Sequence, residues 1–64
     1  MDLKDMIVKV VYLSPEGLLP LEIAEKVNDQ YGAKTTTKKI LQIVKSNPRL
    51  FIEEQGKIKN PPMA

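Results

Sequence analysis

A mainly α domain closed by a small β-hairpin, an α+β fold, is what this sequence predicts, and three observations predict it. Apolar residues recur at helical spacing in three segments, over residues 2–13, 21–31 and 35–46. Chain breakers stand between them: Ser14-Pro15-Glu16-Gly17, Gly32, and Asn47-Pro48. The last apolar stretch runs up to Gln55-Gly56 and away again, as a hairpin does.

The first segment, Asp2 to Leu13, has Leu3, Met6, Ile7, Val10, Val11 and Leu13 close to an i, i+3, i+4, i+7 pattern. Asp2 is placed to cap the first turn, and Asp5 puts a carboxylate at the positive end of the helix dipole. The β-branched run Ile7, Val8, Val10, Val11 favours a strand. Helix is retained, because Lys4 and Lys9 fall off the apolar face and a strand of this length is unusual.

Leu18-Leu19 is a short apolar pair before Pro20, either a minimal strand or a buried anchor. Pro20 has a fixed φ and no donor, which suits a first helical turn. Helix 2 follows over Leu21 to Tyr31, with Leu21, Ile23, Ala24, Val27 and Tyr31 expected mostly inward and Glu22, Glu25, Lys26 and Asp29 outward. Gly32 ends it in a left-handed conformation.

Thr35 is the expected N-cap of helix 3, which runs to about Ser46 with Ile40, Leu41, Ile43 and Val44 apolar. Asn47-Pro48 stops it. Arg49 to Lys59 then reads as the hairpin, with strands over Leu50 to Glu53 and Lys57 to Lys59 and with Phe51 and Ile58 facing the core. The domain is expected over residues 1–59, with 60–64 a flexible tail or the start of a linker, since prolines cannot extend the ladder.

Helix, minimal strand, helix, turn, helix, hairpin is the element order of a winged helix-turn-helix, three helices plus a two- or three-stranded wing. Gly17-Leu-Leu-Pro20, Glu22-Ile23-Ala24, the Tyr31-Gly32 turn and Asn47-Pro-Arg-Leu-Phe51 before a Gly-turned hairpin together resemble the small winged helices called HARE-HTH and LOTUS (OST-HTH). The resemblance spans roughly residues 3–59. The chain lacks the extra segment that LOTUS domains place between helices 2 and 3, and its Gly32-Ala33-Lys34 turn is shorter than that of HARE-HTH domains. HARE-HTH similarity implies a DNA or chromatin reader, LOTUS similarity an RNA or helicase partner, and neither implies catalysis.

Charge is divided along the chain. Residues 1–31 carry six acids against three lysines, whereas residues 32–64 carry six lysines and Arg49 against Glu53 and Glu54. Such a division predicts a one-sided positive surface on a chain of formal charge only +2. Thr35, Thr36, Thr37, Lys38 and Lys39 open helix 3, where hydroxyls, free backbone amides and adjacent lysines suit phosphate. Lys38, Gln42 and Lys45 follow at i, i+4 and i+7 on one face, with Lys34 beside it in the turn. Gln42 has the chemistry to pair with adenine in a major groove. Arg49, Lys57 and Lys59 flank the hairpin, where Glu53 and Glu54 oppose any phosphate.

These residues make double-stranded DNA the expected partner of a DNA-binding module, a transcription or chromatin factor with helix 3 in the major groove and lysines on phosphates. The alternative is a protein- or RNA-interaction winged helix within a larger assembly, with the acidic face Glu22, Glu25, Asp29 taking a basic protein. A single arginine implies modest sequence discrimination, because bidentate guanine recognition is largely an arginine task. Tyr12, Tyr31 and Phe51, the only aromatics, are expected at inward or edge positions, which disfavours stacking on single strands. A homodimer through helix 1 is expected from its surplus of apolar residues.

Composition excludes other classes. A chain of 64 residues buries only about 60% of its unfolded surface, too little for a deep substrate pocket. Without histidine or cysteine it lacks the commonest general base and the thiolate and imidazole metal ligands, so no enzyme, cofactor or metal is expected. No apolar run reaches the ~20 residues of a membrane span and no signal pattern opens the chain, so no membrane partner and an intracellular location (cytoplasm, nucleoid or nucleus) are expected.

Overall fold

A computed structural model of the chain describes residues 2–61. Three helices, α1 (Leu3–Tyr12), α2 (Pro20–Tyr31) and α3 (Thr37–Ser46), precede an antiparallel hairpin of β1 (Ile52–Glu54) and β2 (Lys57–Lys59). α1 packs on α2, α2 on α3, and β2 returns against α1. The shared core takes Ile7, Val10 and Val11 from α1, Ile23, Ala24 and Val27 from α2, and Ile40 and Val44 from α3. Leu18, Phe51 and Ile58 close it, and no polar or charged residue among those described is buried in it.

Local chemistry sets the ends of each element. The Asp2 carboxylate accepts the Asp5 backbone N–H at 3.0 Å and starts α1. Glu22 reaches back to accept the Leu19 N–H at 2.9 Å, and Pro20 takes the first position of α2. Gly32 at φ 65° ends α2 as a left-handed C-cap. Asn47 ends α3: its side-chain amide donates to the Ile43 carbonyl at 2.7 Å, and its own carbonyl accepts from both Leu50 and Phe51. That turn drops Phe51 into the core before the strand begins, so β1 starts at Ile52 and not at Leu50 as its sequence suggested.

The hairpin turn has Gln55 at φ 54° and Gly56 at φ 81°, two consecutive positive values that match the twist of the flanking strands. Pairing aligns Ile52 with Lys59, Glu53 with Ile58 and Glu54 with Lys57. Ile58 faces the core, so its cross-strand neighbour Glu53 lies on the inner face and Ile52, Glu54, Lys57 and Lys59 lie on the outer one. The minimal strand at Leu18 is one residue long: its N–H donates to the Ile58 carbonyl at 3.0 Å and its carbonyl accepts the Ile58 N–H at 2.7 Å. The loop crosses the wing closely here. A Cβ on Gly17, which has φ 93°, would stand 3.0 Å from Lys57 Cβ and Lys59 Cγ.

Two expected positions are corrected. Leu21 is 57% exposed, because the buried stripe Ile23, Ala24, Val27 is centred about 110° around the helix from it. Tyr12 is 72% exposed, one step past Val11 at the very end of α1, where no other element covers it. Most of the apolar surplus of α1 is taken up within the chain: Leu3, Met6 and Val8 pack half-buried against the core. Asn60 and Pro61 are half-buried, and residues 62–64 of the expected tail lie outside the described residues.

Candidate nucleic-acid interface

The turn between α2 and α3 positions the candidate residues, and a side chain that sequence reading passed over holds it. Asn28, half-buried on α2, accepts the Thr35 N–H at 2.9 Å and donates to the Thr35 carbonyl at 3.1 Å. Both backbone groups of Thr35 are thereby committed to α2, which keeps the residue extended and outside the helix. Thr35 is therefore not the N-cap. That role falls to Thr36, whose hydroxyl accepts the Lys39 N–H at 3.3 Å. The only sequence signal for Asn28 is a polar residue four positions after Ala24, at the edge of the buried stripe.

The Thr35 hydroxyl is buried with no partner, so the two threonines should behave differently on substitution. Thr36→Ala is expected to cost about 1 kcal/mol through loss of the cap. Thr35→Val keeps the shape and removes an unsatisfied hydroxyl, so it is expected to be neutral or slightly stabilising. Urea unfolding of the two variants separates these outcomes, and equal losses would contradict the assignment of the cap to Thr36.

The face that follows is open. Lys34, Thr36, Lys38, Lys39, Gln42 and Lys45 are exposed, while Thr35 and Thr37 are half-buried where α3 begins. Lys34, Thr35 and Lys39 come together with Leu3, Met6 and Ala33 around a shallow cavity of about 160 Å³. α3 carries no carboxylate, and its first turn holds Lys38 and Lys39 at the positive end of the helix dipole. That placement disfavours the isolated helix, and an anion bound there relieves it.

Towards the other end of α3 the positive character weakens. Lys45 shares a cavity of about 200 Å³ with Leu41, Val44, Pro48, Phe51 and Glu53, so an acidic residue of the wing borders the same cavity. Arg49 and Lys57 are exposed. Lys59 is half-buried and donates to Glu54 at 3.0 Å, the one salt bridge among the described residues. Among the described residues Lys57 and Arg49 therefore have no salt-bridge partner, and Lys59 is engaged.

Tyr12 does supply an exposed aromatic ring, contrary to the expectation of an inward or edge position for every aromatic. It lines a groove with Ile52, Glu54 and Lys59 of the outer wing face, whereas α3 borders the inner face through Phe51 and Glu53. The ring and the lysines of α3 are thus separated by the hairpin.

Three helices closed by an antiparallel hairpin, with Leu18 bridged to its second strand, define a small α+β domain with the layout of a winged helix. Comparison with family models, curated proteins and solved structures gives no match. No helix among the described residues is long and apolar enough to cross a membrane.

Proposed function

We propose that the chain is a DNA-binding winged-helix module, a transcription or chromatin factor that inserts α3 into the major groove and sets lysines on the flanking phosphates. The observation that carries this reading is the state of the α3 lysines. Lys38, Lys39 and Lys45 are exposed and have no salt-bridge partner among the described residues, on a helix that has no acid of its own. A stability role would favour carboxylates in that first turn, so the lysines are better explained by an external polyanion. The HARE-HTH side of the resemblance agrees with this reading, since Asn47-Pro-Arg-Leu-Phe51 leads into the wing in the same manner.

Within this reading Lys34, Thr36, Lys38 and Lys39 hold phosphates around the start of α3, Gln42 faces base edges, and Lys45, Arg49 and Lys57 extend the contact towards the wing. Recognition of this kind is dominated by charge and is weakly selective.

A second reading, an interaction module for a basic protein, is favoured by one feature. Glu22, Glu25 and Asp29 are exposed on the outer side of α2, and Glu25 and Asp29 border a shallow depression with Lys26. Titration of duplex DNA, single-stranded DNA and RNA over a salt series decides between the two. Duplex affinity that falls steeply with salt supports the DNA reading, whereas no measurable affinity for any of the three at low salt replaces it with the protein-interaction reading.

A further inference from the structure

The two most exposed large apolar side chains among those described are adjacent: Tyr12 at 72% and Leu13 at 73%. Lys9, Tyr12 and Leu13 stand at i, i+3 and i+4, so they share one face at the end of α1. Beside them lies a groove of about 480 Å³, walled by Val11, Pro15, Ile52 and Asn60. Glu54 and Lys59 also border it, and their 3.0 Å salt bridge leaves that border electrically neutral.

From these features we infer that the end of α1 and the outer wing face form an isologous interface between two copies of this chain, with Tyr12 of each copy seated in the groove of the other. Three observations select a second copy over another partner. Each copy presents both a protruding ring and an apolar groove next to it, as self-complementary contact requires. The neutral border attracts neither a polyanion nor a strongly basic segment. Charges of opposite sign bracket the patch: exposed Lys9 precedes Tyr12 by one turn, and exposed Glu16 follows Leu13 in the Ser14–Gly17 turn. A two-fold axis through Tyr12 and Leu13 runs the two segments antiparallel and sets Lys9 opposite the partner's Glu16.

Pairing through the free edge of β1 is the competing way to join two copies, and charge opposes it. A two-fold antiparallel ladder centred on Glu53 or between Glu53 and Glu54 would set glutamate against glutamate, where like charges destabilise. Size fixes the expected strength. A standard interface of about 800 Å² per partner would be under a fifth of the 4546 Å² surface of this chain. Tyr12 and Leu13 supply only the centre of such an area, so the dimer is reversible and forms at high protein concentration. The inference stands apart from the DNA reading, because it is tested without nucleic acid and uses no residue of α3.

Sedimentation velocity on the full chain, from micromolar to millimolar concentration, is the test. Dimer is expected to accumulate with concentration. Tyr12→Lys is expected to weaken it by about tenfold or more while leaving the unfolding midpoint unchanged, as befits an exposed side chain. At low salt Lys9→Glu and Glu16→Lys are each expected to weaken association, and the two together in one chain to restore it. A chain that remains monomeric at millimolar concentration overturns the inference and leaves the face to a different partner. Association indifferent to Tyr12→Lys, or a double charge reversal that fails to rescue, overturns it as well.

Discussion

Replacing Lys38 and Lys39 together with glutamine is expected to weaken binding to every duplex alike and to flatten its salt dependence. Both side chains are exposed in the first turn of α3, and neither has an acidic partner among the described residues, so their charge is available to phosphates. For every phosphate that a lysine no longer neutralises, the slope of log affinity against log salt falls in magnitude by about 0.9. The double variant should therefore lose roughly 1.8 of that slope if each lysine meets one phosphate. Folding should be preserved or improved, because two cations leave the positive end of a helix dipole.

Gln42→Ala makes the contrasting case on the same face. It removes no charge, so its effect should fall on preference between sequences, by about 1–3 kcal/mol at one base pair, with the salt slope unchanged. Glu22→Gln with Glu25→Gln should leave duplex binding intact, since those acids lie on the outer side of α2. If the lysine pair can be neutralised with no change in affinity or slope, α3 is not the binding element and the DNA reading fails.

Ile58→Ala is expected to be the most damaging of the single core substitutions at the wing. The side chain is 0% exposed, and it joins a hairpin of only three residues per strand to the core shared by the helices. Truncation of a buried isoleucine costs about 2–5 kcal/mol, a large part of the roughly 3–10 kcal/mol expected for a domain of this size. The thermal midpoint should fall on the order of 10 °C or more. The two hydrogen bonds to Leu18 use backbone groups and survive the change, so the loss reports packing alone. Ile52→Ala, half-buried on the outer face, serves as the control and should cost less than half as much. Equal effects at both positions would show that the wing does not share the core.

Helix periods and breakers were legible along the chain because both are local. Asp2, Pro20, Gly32 and Asn47-Pro48 act within one turn of themselves, and they bound the three helices to within a residue or two of their expected ends. Phe51 and Ile58 were legible as core through hydrophobicity, whereas Leu18 was legible only as a minimal strand or a buried anchor, and the bridge to Ile58 decides for the strand. Leu21 and Tyr12 were misjudged for one reason. An apolar residue at the margin of a stripe is inward only if another element arrives to cover it, and sequence periodicity does not say where neighbours stop.

The candidate interface divides the same way. That α3 would carry Lys38, Gln42 and Lys45 on one face follows from helical geometry and was determined by the sequence alone. Which threonine caps the helix was not, because the choice was made by Asn28, seven residues away and on another helix. Likewise the state of each basic residue depended on neighbours distant in the chain or across a strand pair. Lys59 is taken by Glu54, Lys45 shares a cavity with Glu53, and Lys34, Lys38 and Lys39 stay open. Composition and spacing determined the helices and the hairpin, since those depend on residues a turn or two apart. The cap, the exposed end of α1 and the charges left free were decided by tertiary packing, which brings together groups whose separation in sequence carries no fixed distance in space.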